Sequence, residues 1–377
     1  MEQKRDFIPF IHVLRGFAPI LVVWVHLAGW WFFVDGSLPP IWLWYKQLIV
    51  DPFRLYQNGG HLGVVLFFCI SGYIISHVAT QESRLEFVVK RIFRLAPALF
   101  VAVALMALFT ELSRILGLSK MLGNEGTHLR DYILTAFLLD YIIERKSLSL
   151  GVTWSLGAEV IFYSIVTGLI PLMRSRPVVS TWVMTGAAIG LALPWQLSEA
   201  LAYACYFSIY LPLFIIGRVF YLEHTRQTDG CTALTMVAAN AGLLCLLYSF
   251  RWPEKLTEAP TEPAVTYVVA ILLFYIVMRA PIKTIPRPIR FLADISYSLY
   301  LVHLPAGSFA MAAASALGAP RSIILIAGLS AAVATATAMS RFVERPCQAL
   351  GRRILRTPGS LLEALPRPFL PESHRSR

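Results

Sequence analysis

The sequence predicts an all-α protein that crosses a membrane about ten times. Of its 377 residues, 57% are hydrophobic and 15% are charged, whereas an ordinary soluble domain carries ~25% charged residues. The apolar residues are grouped in stretches near the ~20 residues that a helix needs to span a bilayer. Lys and Arg are concentrated between alternate stretches, as is typical of cytoplasmic loops. This pattern excludes a soluble enzyme, a disordered chain and a nucleic-acid-binding module.

Ten apolar stretches are the predicted transmembrane helices. In chain order they cover residues 8–33, 61–80, 95–112, 155–173, 178–194, 200–221, 231–250, 264–280, 291–314 and 321–342. The stretch from Tyr132 to Ile143 is too short to span and contains Asp140, so it is predicted to be a re-entrant or interfacial helix. Residues 1–349 thus form one membrane domain, and residues 350–377 are predicted to be a poorly ordered cytoplasmic tail.

The distribution of basic residues predicts the orientation. With the N-terminus inside and the spans alternating, 22 Lys and Arg residues lie on the inner side and 10 on the outer side. Bases accumulate in cytoplasmic loops, so this bias places both termini in the cytoplasm and the loop at 250–263 outside. We therefore expect a multi-pass protein of the cell membrane, in bacteria the inner membrane.

Two ionisable residues of the first span are candidate functional groups. Arg15 and His26 are eleven positions apart, which is about three helical turns, so they share one face ~16 Å apart. Ionisable side chains are costly inside a bilayer and often mark a functional site. A lone histidine is more often structural, but the arginine on the same face makes a functional role equally plausible.

Two further polar clusters occur in the fourth and ninth spans. Glu159 lies near the start of the fourth span, where the helix dipole favours a carboxylate; a helix-bridging pair with an arginine is the structural alternative. Tyr297, Tyr300 and His303 follow an i, i+3, i+6 pattern in the ninth span. A tyrosine belt at the membrane surface is the alternative for this stripe, and the deeper position of His303 argues against it.

Arginines also flank the third and last spans. Lys90, Arg91 and Arg94 precede the third span, and Glu344-Arg345 closes the last one. Bases at an inner helix end are the ordinary pattern, but arginine also suits the phosphates of a nucleotide-like donor. The sequence contains no phosphate loop, no H-E-x-x-H zinc motif and no G-x-S-x-G elbow. These absences argue against an ATP-driven pump, a zinc protease and a common lipase, and no metal site is predicted.

The order of these motifs resembles the integral-membrane acyltransferase 3 family, whose members O-acylate sugars, lipids and some antibiotics. In chain order, the matching pieces are Arg15 with His26; Phe67-Phe68-Cys69-Ile70-Ser71-Gly72-Tyr73; Lys90-Arg91 with Arg94 and Pro97; Trp154-Ser155-Leu156 with Glu159 and Phe162-Tyr163; Ser296-Tyr297 with Tyr300 and His303; and Glu344-Arg345-Pro346. The chain departs from the family where Ala158 replaces a frequent acid and Val160 a common glutamine.

The resemblance implies a ten-helix fold with no bound cofactor and a cytoplasmic acyl-CoA donor, often acetyl-CoA. The acceptor is a hydroxyl of a carbohydrate or lipid-linked molecule, as in the O-acetylation of a polysaccharide. Some members carry a fused soluble domain that completes the transfer. This chain ends soon after its last predicted span, so it is expected to act alone or with a separate partner protein.

The resemblance also suggests roles for individual residues. Arg15, Arg91 and Arg94 are candidates for binding the donor phosphates or for organising the basic inner mouth. His26 is the candidate general base or nucleophile. Glu159, Tyr297 and His303 are candidates to orient the acceptor or stabilise the oxyanion. The competing prediction is a transporter of a sugar or organic anion, which would be expected to show two related halves with broken helices. No such symmetry is visible in the sequence.

Overall fold

The computed structural model describes residues 7–118, 126–144, 146–196, 205–251 and 262–356, and these ranges contain helices and no strand. The α-helices are, in chain order, α1 (Pro9–Ala28), α2 (Trp30–Asp35), α3 (Pro40–Tyr45), α4 (Gly60–Ala79), α5 (Arg84–Ile115), α6 (Leu129–Ala136), α7 (Asp140–Ile143), α8 (Trp154–Ser175), α9 (Pro177–Ala192), α10 (Leu211–His224), α11 (Gly230–Arg251), α12 (Glu262–Arg279), α13 (Arg287–Val302), α14 (Phe309–Ala316), α15 (Arg321–Met339) and α16 (Arg345–Ile354).

The helices confirm an all-α polytopic membrane protein. Within the described ranges, eight helical segments are long and apolar enough to cross a membrane. The other two predicted spans, at 178–194 and 264–280, correspond to the shorter apolar helices α9 and α12. Each of the ten predicted stretches therefore coincides with at least one apolar helix.

The third span begins about three turns earlier than predicted. Its start is fixed by a capping box: the Ser83 hydroxyl accepts a hydrogen bond from the Glu86 backbone N–H at 3.2 Å, and the Glu86 carboxylate accepts one from the Ser83 N–H at 2.9 Å. Both interactions satisfy amides that have no partner at a helix N-terminus. Lys90, Arg91 and Arg94 therefore lie within α5, not in front of it.

Two predicted spans are interrupted. The first ends at Ala28, and the rest of the stretch at 8–33 forms the separate helix α2 after Gly29. The ninth divides into α13, a π-helical turn from His303 to Ser308, and α14. Pro305 lies in that turn and cannot donate a backbone hydrogen bond. Such turns are frequent at functional sites.

The stretch at 132–143 forms the end of α6 and the short helix α7, and it is not among the described segments long enough to span. Asp140 is buried, accepting hydrogen bonds from the Thr135 hydroxyl at 3.1 Å and the Leu148 N–H at 3.4 Å. That the stretch at 132–143 is re-entrant or interfacial remains a prediction.

The predicted tail boundary at residue 350 falls inside α16, which continues to Ile354. Residues 357–377 of the tail lie outside the described part of the chain, as do residues 252–261 of the predicted outer loop. Both the order of the tail and the side of that loop remain predictions.

Arg218, which the sequence groups with the inner bases, is fully buried in α10. Its guanidinium donates hydrogen bonds to the Ser180 hydroxyl at 2.7 Å, the Thr181 hydroxyl at 3.0 Å and the Pro177 carbonyl at 3.1 Å. A buried charge requires such partners. Arg218 thus links α10 to α9 through hydrogen bonds. The excess of basic residues on the inner side persists when Arg218 is not counted.

The centre of the bundle depends on direct backbone contact between α4 and α10. A Cβ atom at Gly72 would lie 1.9 Å from the Phe214 carbonyl oxygen, and one at Gly217 would lie 2.0 Å from the Cys69 carbonyl oxygen. Small residues allow membrane helices to approach this closely. Helix α4 also packs against α1, which packs against α13. The close contact between α4 and α10 therefore helps to set the positions of α1, α4 and α13, which carry polar clusters.

We expect Gly72→Ala to destabilise the fold by about 1–3 kcal/mol, because the added methyl group overlaps backbone atoms of α10 that cannot move independently. Thermal unfolding of the detergent-purified protein measures the effect. Gly186→Ala is the matched control, since a Cβ there meets no atom within 4 Å. Equal unfolding temperatures for the two variants would contradict this packing.

Candidate active site

Helices α1, α4, α5, α8 and α13 enclose a cavity with charged and hydroxyl groups on one side and apolar residues of α4 on the other. We call it the arginine cavity. It is lined by Arg15, Val64, Phe67, Phe68, Ile70, Ser71, Ile74, Ile75, Arg94, Ser155, Leu156, Glu159, Ser296, Tyr297 and Tyr300. Four of the seven predicted site residues, distant in sequence, therefore meet at one place: Arg15, Arg94, Glu159 and Tyr297.

The two arginines have different surroundings. Arg15 donates a hydrogen bond to the Ser296 hydroxyl at 3.2 Å. Arg94 makes no hydrogen bond and no direct ion pair with any residue that the structure describes, although the carboxylates of Glu159 and Glu344 act on it electrostatically. A guanidinium carries five N–H donors. Arg94 can therefore donate several hydrogen bonds to a ligand in the cavity.

Glu159 is held by hydroxyl groups. Its Oε1 accepts a hydrogen bond from the Ser71 hydroxyl at 2.8 Å and another from the Tyr163 hydroxyl. The helix-bridging ion pair that the sequence suggested as an alternative does not occur among the described residues. The Ser71 contact was not predicted, although a serine within the apolar α4 was its visible signal.

Arg91 does not line the arginine cavity. Its guanidinium lies 3.6 Å from the Glu82 carboxylate and over the rings of Phe87 and Tyr163, with 5.9 Å to the centroid of the Tyr163 ring. Tyr163 in turn contacts Glu159. Of the three arginines predicted to bind the donor, Arg15 and Arg94 therefore line the arginine cavity and Arg91 does not.

Three hydroxyl groups are fixed at the cavity wall. Tyr297 donates to the Leu95 carbonyl at 3.0 Å. The hydroxyl oxygens of Ser155 and Tyr300 lie 2.8 Å apart, and both lie within hydrogen-bond distance of the Val152 carbonyl oxygen, at 3.0 Å and 3.1 Å. The sequence placed Ser155 and Tyr300 within polar stripes but assigned them no role.

The two predicted histidines form a pair. His26 Nδ1 lies 2.8 Å from His303 Nε2, and the rings are nearly parallel with 5.0 Å between centroids. His303 is fully buried, and its Nδ1 lies 3.1 Å from the Leu299 carbonyl oxygen. The sequence predicted both histidines but not this contact.

These contacts determine where the protons are in the neutral pair. The Leu299 carbonyl can only accept, so His303 Nδ1 carries a hydrogen, and His303 Nε2 is then the acceptor. His26 Nδ1 must therefore donate to it. The remaining nitrogen, His26 Nε2, is left with a free lone pair and can accept a proton from a substrate. The contact with His303 thus holds the His26 ring in one orientation.

The histidine pair adjoins the arginine cavity without lining it. The ring centroids of Tyr300 and His303 lie 6.2 Å apart, and Tyr300, in α13, comes three residues before His303, the first residue of the π-helical turn. The cavity thus places an arginine and a carboxylate on the approach to a pre-oriented imidazole base. This arrangement suits the transfer of a group from an anionic donor to a hydroxyl.

Known proteins similar to this chain include a membrane-bound transacylase. BcsY of Komagataeibacter xylinus, described as a membrane-bound transacylase, is 26% identical over 326 residues, covering 81% of this chain and 73% of BcsY. Nodulation protein 10 of Rhizobium leguminosarum bv. viciae is 25% identical, with 78% and 81% coverage. The exopolysaccharide production protein ExoZ of Rhizobium meliloti is also 25% identical, with 78% and 91% coverage.

No solved structure matches the chain. The family model described as "Acyltransferase domain" matches residues 8–341, which include every residue of the arginine cavity and the histidine pair. That range covers nearly all of the membrane-embedded helices, and the order of motifs agrees with it. The chain therefore belongs to the acyltransferase 3 family and is an integral-membrane acyltransferase.

Proposed function

We propose that the protein transfers an acyl group, in the first instance acetyl, from cytoplasmic acyl-CoA to a hydroxyl of a carbohydrate or lipid-linked acceptor. The observation that carries the proposal is the convergence of Arg15 and Arg94 on a cavity that reaches Tyr300, beside the histidine pair. Arginine suits phosphate and carbonyl oxygens. The relative ExoZ is named for exopolysaccharide production, which favours a polysaccharide acceptor.

The basic residues support entry of the donor from the cytoplasm. Arg287 and Arg290 lie in the first turn of α13 and Lys90 lies in the second turn of α5. These are the ends of the two helices nearer to Arg15 and Arg94 than to His303. Acyl-CoA carries phosphates that cannot cross a bilayer unaided. The phosphates would remain at this basic end, while the apolar wall of the arginine cavity receives the acyl-bearing arm. Both termini are then cytoplasmic, in a cell-membrane protein.

The proposed reaction uses His26 as a general base. His26 Nε2 takes the proton of the acceptor hydroxyl while its oxygen attacks the thioester carbonyl. The C–S bond breaks, and the imidazolium returns the proton to the departing CoA thiolate. Arg94 lies at the cavity wall, where its guanidinium can stabilise the oxyanion. The reaction needs no bound cofactor, and the chain acts alone or with a separate partner protein.

We expect Arg94→Ala to weaken acetyl-CoA binding by about 1.5–3 kcal/mol, which is roughly 10–150-fold in Kd, because hydrogen bonds from a charged donor are lost. Isothermal titration of the protein in nanodiscs measures the affinity. Arg114→Ala is the matched control, since Arg114 lies at the other end of α5, paired with Glu111 at 3.1 Å. Equal affinity in the two variants, or a wild-type protein that binds no acetyl-CoA, would overturn the donor assignment.

A further inference from the structure

A second cavity of ≈150 Å³ lies beside the π-helical turn that begins at His303. The mechanism proposed above does not use it. It is lined by Met106, Phe109, Thr110, Ser149, Gly151, Leu304, Pro305 and Ser308. We call it the second cavity. None of its residues was singled out by the sequence, because most lie in an apolar helix or in a connecting segment without a motif.

The two cavities lie on opposite sides of the histidine pair, as α5 and the α13 segment show. In α5, Arg94 lines the arginine cavity, and Phe109 lines the second cavity. Fifteen positions correspond to ~22 Å along a helix. From α13 into the π-helical turn, Tyr300 lines the arginine cavity, His303 follows, and Leu304 lines the second cavity.

The segment leading into α8 has the same order. Ser149 and Gly151 line the second cavity, whereas Ser155 and Glu159, further along the chain, line the arginine cavity. Gly151 is exposed and precedes α8. The second cavity therefore opens near a connecting segment at the end of the bundle away from Arg94.

The lining of the second cavity suits a hydroxyl-bearing ligand. The Ser149 hydroxyl is buried and has no hydrogen-bond partner among the described residues. Buried polar groups are nearly always satisfied, so an unpaired one indicates that a ligand or a water completes it. Thr110 and Ser308 add hydroxyls to the wall, and Phe109 adds an aromatic ring. A sugar offers both hydroxyl groups and an apolar ring face to such a wall.

We propose that the second cavity is the acceptor site and admits the hydroxyl-bearing end of a carbohydrate from the side opposite the donor. A cavity of ~150 Å³ holds a molecule the size of benzene, so it accepts an exocyclic hydroxymethyl group or one edge of a terminal sugar ring and not the interior of a chain. The acceptor hydroxyl then reaches the histidine pair past Leu304, while the thioester arrives past Tyr300. This inference rests on the proposed function, whose acceptor it locates.

The experiment narrows the second cavity without touching the arginine cavity. Gly151 is exposed and lines the second cavity, and a Cβ there meets no atom within 4 Å, so Gly151→Ala and Gly151→Phe should both fold, and the Phe ring adds bulk at the cavity entrance. Gly186→Phe, at an equally open position of α9, controls for added bulk. Acetylated carbohydrate from cells carrying each variant is quantified by mass spectrometry at matched membrane abundance. Acetyl-CoA affinity is measured on the purified proteins.

We expect Gly151→Phe to lose at least tenfold of the acetylated product while its acetyl-CoA affinity stays within twofold of wild type. Gly151→Ala and Gly186→Phe should keep near-normal product. Undiminished product with Gly151→Phe, or an equal loss of donor affinity, would overturn the acceptor assignment. A wild-type protein that gives no acetyl-CoA-dependent product would instead overturn the proposed function.

If Gly151→Phe does not accumulate, a second measurement tests whether the second cavity opens to the outside. Gly151→Cys, at the exposed residue that lines the second cavity, is introduced into a protein whose five native cysteines are replaced, and intact cells are treated with a membrane-impermeant methanethiosulfonate ammonium reagent. We expect labelling from the outside. Labelling only in inverted vesicles, or from neither side, would overturn the outward-facing second cavity even if acyl transfer from acetyl-CoA is established.

Discussion

Replacing His26 by alanine is expected to reduce acyl transfer by about 10²–10⁴-fold, the usual contribution of a general base. Acetyl-CoA binding should stay within twofold, because His26 does not line the arginine cavity. His26 Nε2 is the nitrogen left with a free lone pair by the contacts to His303 and Leu299. Product formed per molecule of membrane-inserted protein is the measurement, with abundance determined in the same sample.

His12→Ala is the matched control for this variant. His12 lies in the same helix, and its ring contacts the Ile8 carbonyl at 3.3 Å, away from the histidine pair. We expect its transfer rate to stay near wild type. Near-normal transfer by the His26→Ala protein would assign His26 a structural role. So would a His26→Ala protein that does not accumulate in the membrane under conditions in which His12→Ala accumulates.

Replacing His303 is expected to have the second largest effect, with His303→Ala losing roughly 10–100-fold of activity, as is common when an orienting partner of an imidazole is removed. His303→Gln should retain more activity, because its amide oxygen can still accept the hydrogen of His26 Nδ1. Donor affinity should be unchanged in both, since His303 lies outside the arginine cavity.

The comparison between the alanine and glutamine variants separates orientation from packing. His303 is fully buried. If its role were purely structural, the alanine and glutamine variants would lose the same amount of activity as each other and the same amount of thermal stability as each other. If the glutamine variant is as inactive as the alanine variant while remaining folded, the orienting role assigned to His303 is wrong.

The sequence predicted most of the helices because apolar length alone identifies a membrane span. It also placed Glu159, Tyr297 and His303 on polar stripes, since helical periodicity defines a face. It did not predict the pairing of His26 with His303, because those residues are 277 positions apart and no local pattern links them. Such pairings depend on the tertiary packing of α1 against α13.

Local capping and turn chemistry account for the other differences. Arg91 and Arg94 are three positions apart and were expected to act together, but Glu82 and the Tyr163 ring attract Arg91 away from the cavity. The early start of α5 followed from the Ser83 capping box, which apolar stretches do not reveal. The sequence did not predict the second cavity, because the cavity is formed by the interruption of a helix and by the burial of Ser149, and no local pattern indicates either.

The most direct test of the account is a cryo-EM structure of the protein in nanodiscs with a non-reactive acetyl-CoA analogue. The account predicts the acyl-bearing arm in the arginine cavity, with Arg94 within hydrogen-bond distance of a donor oxygen and the carbonyl carbon facing His26. The phosphates should lie beyond Arg15, towards Arg287 and Arg290. An analogue bound in the second cavity, or one whose carbonyl lies far from the histidine pair, would contradict the account.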